Sequence, residues 1–309
     1  MFLAQSTKVL KQVMSKNTTL TAIEGLAVGH WTNAEAATGC TVVLCPPEGC
    51  VASGCVLGSA PGSRETALLL PEKTVERVHA VVLAGGSAFG LSAADGTMRW
   101  LEENGRGYET PFGKVPIVPA AVIYDLSTGR TDVRPDAEAG YQAVKSASSQ
   151  PVKMGRVGVG AGATVGKYAG FDKASLSGLG SAAAHVGNAT VAALAVSNAV
   201  GNLVDPATGA RVAGTDAPFD SDALAGTNTT LVVVATDAAL TKAQAHALSQ
   251  SAHIGIAQVT RPSHTPSDGD TTFVLGTGRE EAPLMALSVT VQEVVAEAIL
   301  SGARAGAQQ

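Results

Sequence analysis

The chain reads as a layered α/β protein with mixed sheets, and three observations predict it. Strand-like apolar runs alternate with helix-like stretches along the 309 residues, too irregularly for a simple βαβ series. One run, Val78-His79-Ala80-Val81-Val82-Leu83-Ala84, is nearly continuous in apolar residues, as in a strand covered on both faces. Small residues dominate, with 35 glycines against 4% aromatics, which favours closely packed layers and tight turns.

Taken in order, the first twenty residues read as a short amphipathic helix or arm, with Val9, Leu10 and Val13 on one side. Strands are expected near 26–30, 40–45 and 50–56, the last two joined as a hairpin through Pro46-Pro47-Glu48-Gly49. A short helix is expected over 64–70 and a buried strand over 78–84. After Gly85-Gly86-Ser87 a helix runs from 89 to 104 and stops at Gly105. Pro116 and Pro119 confine 115–124 to a strand pair or a kinked strand. Residues 134–146 look helical, with Pro135 in the first turn. The glycine-rich stretch 156–187 should be strands and loops, and 191–200 a strand. Thr229 to Ala235 is the strongest strand signal of the chain, and 272–275 is a shorter one. Helices are expected over 240–251, opened by Thr241 as a cap, and over 284–303. No interdomain linker interrupts the series, so residues 1–309 are expected to form one domain. The most flexible stretch, 205–226, lies directly before Asn228 and Thr229.

The apolar fraction of 45% supplies a core, and charged residues are 15%. A net charge of −5 without a Lys/Arg cluster argues against a nucleic-acid partner. Nothing in the charge pattern suggests a membrane surface, and no apolar run approaches the roughly 20 residues that span a bilayer. The start lacks the basic-then-apolar order of a secretory signal, so a cytoplasmic location is expected. Cys40, Cys45, Cys50 and Cys55 are evenly spaced, but not as a C-x-x-C zinc site, and no histidine lies among them.

Gly158-Val159-Gly160-Ala161-Gly162 resembles a dinucleotide fingerprint but is followed by no helical pattern. There is no G-x-S-x-G elbow. The six histidines are scattered, with only His264 near a polar cluster; each reads as packed or solvated. A hydroxyl can be activated without histidine when it belongs to an N-terminal Thr or Ser, whose own α-amine is the base. Asn228-Thr229 at the head of a strong strand suits that chemistry, although the same Asn-Thr-Thr-Leu also occurs at Asn17. A second element, Ser267-Asp268-Gly269-Asp270-Thr271, can aim two carboxylates at one site; it lacks the later acidic ligands of an EF-hand, and alone it reads equally as a solvated turn.

Together these segments resemble the family of autoprocessing aminopeptidases and 6-aminohexanoate-oligomer (nylon-oligomer) endohydrolases. The likeness runs from about Ile23 to Gly302. It includes Gly39-Cys40-Thr41-Val42-Val43, Ala60-Pro61-Gly62-Ser63-Arg64-Glu65-Thr66 and Leu83-Ala84-Gly85-Gly86-Ser87-Ala88-Phe89-Gly90-Leu91. It continues through 162–167, 195–201, 228–237 and Asp268-Gly269-Asp270-Thr271. The resemblance implies a four-layer αββα sandwich, self-cleavage into chains 1–228 and 229–309, and a homotetramer of processed units. It implies Thr229 as nucleophile, Asn228 before the cut, Asp268 and Asp270 as the orienting acidic pair, and Asn198 at the oxyanion. Lys167 and Tyr124 match neighbouring polar residues of the site. Threonine with an Asp-Gly-Asp pair looks more like the nylon-oligomer branch than the serine aminopeptidases.

The reaction this implies is hydrolysis of small linear amides through an acyl-enzyme, needing no metal or organic cofactor. The carboxylates could also recognise a substrate ammonium. The alternatives are an aminopeptidase for β-, D- or small L-residues, a non-catalytic binding protein retaining the fold, and a nucleotide-dependent oxidoreductase using the 158–166 glycines.

Overall fold

The computed structural model describes residues 17–219 and 227–309. The amphipathic stretch expected at the start lies, up to residue 16, outside the described residues, as do residues 220–226 of the polar segment before Asn228.

The strands are β1 (Ala27–Asn33), β2 (Thr38–Leu44), β3 (Cys50–Val56), β4 (Ser63–Arg64), β5 (Arg77–Val78) and β6 (Ala80–Ala84). Helix α1 (Ala93–Glu103) follows, then β7 (Tyr108–Thr110), β8 (Gly113–Val115), β9 (Ala120–Val122) and α2 (Ala137–Lys145). The middle holds β10 (Thr164–Val165), β11 (Ser175–Leu176), β12 (Leu179–Val186), β13 (Ala189–Asn198), β14 (Asn202–Val204) and β15 (Arg211–Ala213). The chain closes with β16 (Thr229–Ala238), α3 (Lys242–Val259), β17 (Thr260–Arg261), β18 (Thr271–Glu280) and α4 (Leu284–Gly306).

Two sheets stack at the centre. The first has the order β1-β2-β6-β9-β4, the second β12-β13-β16-β18-β3-β5. Side chains alternate along each strand, so one strand feeds two cores. On β16, Leu231, Val233 and Ala235 face the first sheet and pack with Val43, Val81, Leu83 and Phe273. Val232 and Val234 face the other way, against Leu248, Ile256, Val291, Val295 and Ile299 of α3 and α4. Helices α1 and α2 cover the outer face of the first sheet through Ala93, Leu101, Ala139 and Ala143 over Val42 and Val82. The layers are therefore α, β, β, α, as the resemblance implied. Helix α4 spans 23 residues with a mean hydropathy of 1.5 over its most apolar window, long and apolar enough by those measures to cross a bilayer; its Leu287, Val291, Val295 and Ile299 stripe is buried in the outer core.

Local chemistry sets the boundaries. Asp136 caps α2 by accepting from the Ala139 N–H at 2.8 Å, which leaves Pro135 outside the helix rather than in its first turn. Thr241 and Gln244 form a capping box at the start of α3, and the helix runs on to Val259 because Ala252, Gly255 and Ile256 stay on its buried face. Helix α1 ends as expected, with Gly105 at φ +64° and its N–H on the Glu102 carbonyl.

Three local expectations are corrected. Strands β2 and β3 do not form a hairpin: the turn at Pro46–Gly49 closes, with Gly49 N–H on the Pro46 carbonyl, but carries the chain from one sheet to the other. Both edges of each strand are already taken, β2 by β1 and β6, and β3 by β18 and β5. The run 78–84 makes the same crossing, since Val78 pairs with Cys50 while Ala80 pairs with Leu44. Residues 64–70 form no α-helix but the end of β4 and a 3-10 turn at Ala67–Leu69.

Helices α1 and α2 cross where side chains are absent. A Cβ on Gly140 would run into the carbonyl of Ala93, and one on Gly96 into that of Ala137. Gly140→Ala should therefore push the helices apart and lower stability by roughly 1–3 kcal/mol, read as a lower denaturant midpoint; an unchanged midpoint would show that the pair can re-seat freely.

Candidate functional site

The sheet order brings one end of three strands together. Strands β13 and β16 are antiparallel, so Asn198 at the end of β13 lies opposite Thr229 at the head of β16. Strands β16 and β18 are parallel, so their heads share an edge, and Asn228 bridges to Asp268 just before β18. Six of the residues singled out in the sequence, Asn198, Lys167, Asn228, Thr229, Asp268 and Asp270, are buried in this region.

The Asn228 carbonyl is the focus. Its oxygen accepts the Thr229 hydroxyl at 2.5 Å and the Gly269 N–H at 2.7 Å. One hydrogen bond thus places a hydroxyl beside the peptide bond preceding it, and a second polarises that bond. Gly269 has to be glycine here, since a Cβ would stand 2.5 Å from the Ala60 oxygen and 2.8 Å from Thr229 Oγ1.

The acidic pair is not a solvated turn: Asp268 and Asp270 are each only 1% exposed. Asp268 accepts from Val200 N–H at 3.3 Å and from both the N–H and the hydroxyl of Thr265, at 2.9 and 2.5 Å. Asp270 accepts from Thr230 N–H at 2.6 Å and from His264 through its N–H at 3.2 Å and its ring Nδ1 at 2.7 Å. Burial, then the neighbouring Asp270 charge, pushes the Asp268 carboxyl above its usual range, against the Thr265 bonds. The carboxylates are turned into the protein, and neither lines the small cavity at Thr229.

Asn198 Nδ2 donates to the Tyr124 carbonyl at 3.0 Å and to that of Thr227 at 3.4 Å, while its Oδ1 accepts Thr164 N–H at 3.1 Å. In this uncleaved chain its amide therefore serves neighbours of the Asn228 carbonyl, and Gly269 serves that carbonyl itself. Lys167 Nζ donates to the Asn198 carbonyl at 2.7 Å. Burial pulls the Lys167 ammonium down to about 7, with Asp268 and Asp125 opposing the drop. Asp125, unforeseen in the sequence, is a third buried carboxylate; it accepts Gly86 N–H and the Thr38 hydroxyl, each at 2.7 Å. Its only signal was its place after Tyr124.

A cavity of about 160 Å³ opens at Thr229, lined by Ala60, Pro61, Gly62, Ser87, Ala88, Val122, Tyr124 and Thr227. Among the described residues its walls carry no charged side chain. Tyr124 thus shares this cavity with Thr229, and its ring lies 6.4 Å from that of Phe171.

His264, read as packed or solvated, is half-buried, and its ring Nδ1 bonds Asp270. The signal available was its position six residues before Asp270. The Gly158–Gly160 segment is a buried 3-10 turn whose Gly158 N–H bonds the Thr32 hydroxyl, so it is packed against β1 rather than open to a phosphate. The four cysteines are free thiols, Cys40, Cys45 and Cys50 buried and Cys55 half-buried. Among the described residues no group of three or more His, Cys, Asp or Glu side chains is placed to hold a metal.

The sequence pattern of peptidase family S58 matches residues 18–308. An uncharacterized aminopeptidase of Mycobacterium tuberculosis is 44% identical over 293 residues, covering 85% of this chain and 83% of that protein. A 6-aminohexanoate-oligomer endohydrolase of a Kocuria species is 30% identical over 256 residues, covering 73% of this chain and 72% of that protein. The solved L-aminopeptidase D-Ala-esterase/amidase of Ochrobactrum anthropi, described as a variant of the Ntn hydrolase fold, superposes with a TM-score of 0.73 at 19% identity, covering 93% of this chain and 85% of that one.

The Lys167 geometry has a measurable outcome. With the folded value near 7 and the ordinary one at 10.5, the unfolded chain holds the extra proton between them, so stability rises with pH across that window. In Lys167→Met, denaturant midpoints followed from pH 7 to 10 should rise less than in the wild type. Parallel curves would mean that Lys167 titrates like an exposed lysine.

Proposed function

The chain belongs to peptidase family S58, and from that premise we propose that it is a hydrolase of small linear amides that cuts itself between Asn228 and Thr229 and then uses Thr229 as an N-terminal nucleophile. The observation that carries the reading is the Asn228 carbonyl, held at 2.5 Å by the Thr229 hydroxyl and at 2.7 Å by Gly269 N–H.

In the precursor, Thr229 Oγ attacks the Asn228 carbonyl carbon, forming a five-membered ring, with the developing oxyanion on Gly269 N–H. The C–N bond breaks, the nitrogen gains a proton and an ester links Asn228 to Thr229. Water then hydrolyses the ester, returning the hydroxyl and leaving a free α-amine. Lys167, with its charge balanced near neutral pH, is suited to moving a proton in this step.

In the mature form the α-amine takes the Thr229 hydroxyl proton as Oγ attacks a substrate amide. The amine product leaves with that proton, and water releases the acyl group. Cleavage withdraws the segment that ends at Asn228, so Asn198 Nδ2 loses Thr227 as an acceptor and can turn to the substrate oxyanion. Asp268 and Asp270 act through the backbone, fixing Val200, Thr265 and Thr230 around the nucleophile, rather than by binding a substrate ammonium.

The cavity of about 160 Å³, whose described walls are uncharged, suits a slender acyl group, a methylene chain as in 6-aminohexanoate oligomers or a small amino-acid side chain. An aminopeptidase activity on β-, D- or small L-residues is the second reading, favoured by the 44% identity to a relative named as an aminopeptidase. Product analysis on a linear 6-aminohexanoate oligomer and on aminoacyl amides separates the two. We further propose that the processed units assemble into a homotetramer.

Purified wild-type protein should show two fragments by intact mass, the smaller beginning at Thr229 by N-terminal sequencing. Thr229→Ala should remain one chain of 30.9 kDa; full activity in that variant would sink the reading. Asn198→Ala should lower kcat on amides by about 10²–10³-fold, as for loss of one oxyanion donor, with a smaller effect on KM.

A further inference from the structure

A carboxylate oxygen has two lone pairs to offer in its plane, and hydrogen bonds to both leave no place for its own proton. Asp270 Oδ2 receives two donors from one residue, the backbone N–H of His264 at 3.2 Å and its ring Nδ1 at 2.7 Å. Oδ1 is taken by the Thr230 N–H at 2.6 Å. The proton shared between ring and carboxylate therefore resides on Nδ1. On its far side, His264 Nε2 faces the carbonyl oxygen of His253 at 3.2 Å, which can only accept. Both ring nitrogens must then carry hydrogen, and a ring with both is an imidazolium.

The surroundings agree. Burial opposes the His264 charge, but Asp270, its bond with the His253 carbonyl and Asp268 outweigh that and raise its affinity for a proton above the ordinary value. His253, ring to ring at 5.0 Å on α3, is held neutral, pushed by burial down to about 4. It donates from Nε2 to the Cys55 carbonyl at 3.1 Å on β3, where burial keeps the Cys55 thiol protonated. His264 holds φ at +53°, a left-handed backbone uncommon outside glycine.

Asp270 bonds the N–H of Thr230, one peptide unit from the Thr229 nitrogen. A freed α-amine there would lie in the field of two buried carboxylates, which favours its ammonium form. Lys167 answers the charges of Asp268 and Asp125, and an ammonium cannot accept the hydroxyl proton, so Asp270 without a counter-charge of its own would disable the base that the mechanism needs.

We propose that His264 is a positioning residue held as an imidazolium, whose charge offsets Asp270 and so keeps the α-amine of the freed Thr229 available as a base at neutral pH. The proposal rests on the Thr229 reading for its second half, whereas the charge state of His264 stands on its own.

Nitrogen-15 spectra of the histidine-labelled protein at pH 7 test the first half. The His264 signal, assigned by its loss in His264→Gln or, should that variant not fold, in His264→Lys, should show both ring nitrogens protonated. A neutral tautomer at pH 7 overturns the proposal. The second half is read from kcat/KM against pH in the processed enzyme. In His264→Gln the acid limb should move up by roughly half a unit to one unit, with activity approaching the wild type at high pH, and His264→Lys should move the limb back. A loss equal at every pH, or a limb that does not move, overturns it by showing a structural role only. If Thr229→Ala still cleaves and hydrolyses, the nucleophile reading fails and takes the amine half with it, while the spectra still decide the imidazolium.

Discussion

The parallel pairing of β16 with β18 is the constraint on which the site depends. Apart from it, neighbouring strands of the second sheet are antiparallel, and an antiparallel pair sends successive strand heads to opposite ends. Making this pair parallel requires a crossover, supplied by α3, and places the residues before both strands at one edge. The backbone then meets itself: Gly269 N–H reaches the Asn228 carbonyl at 2.7 Å, and Asp270 reaches Thr230 at 2.6 Å. The antiparallel β13 arrives from the other side and ends at Asn198. A hydroxyl, two carboxylates and an amide are thus assembled by strand order alone.

That assembly puts charge where water is scarce. Asp268, Asp270 and Lys167 are nearly inaccessible, and unpaired buried charges are costly. The structure meets this cost with backbone N–H donors on both carboxylates and with cations at either side, Lys167 toward Asp268 and His264 on Asp270. Asp125 extends the cluster on the Lys167 side and ties it to Gly86 and to the wall of the cavity. Lys167 sits near its point of half-protonation at neutral pH because burial outweighs the pull of its carboxylate neighbours.

Much of this was legible in the sequence where a local rule decided it. The apolar run at 229–235, the cap at Thr241 and the stop at Gly105 each carry their own signal, and each of these boundaries lies where expected, whereas α1 begins only at Ala93 and α3 runs on to Val259. The sheets were harder, because pairing is a long-range choice. Strands β2 and β3, joined by a good turn, read as a hairpin, yet each finds its partners elsewhere. The run 78–84 gave no hint that His79 marks a passage between sheets. At the site, Thr229 and the Asp-Gly-Asp segment stood out once taken with the family pattern. His264 and Asp125 did not, since a lone histidine or aspartate reveals nothing until folding shows which lone pairs it faces.

The order of the second sheet has a consequence for the two pieces that a cut before Thr229 would create. Strands β16 and β18 belong to the smaller piece, yet they lie between β13 and β3 of the larger one. The small piece is a keystone rather than a lid: withdrawing it would open a ladder on each side and split both cores that β16 feeds. Parting such fragments would mean breaking both ladders and both cores at once, so a protein severed before Thr229 would behave in solution as one body.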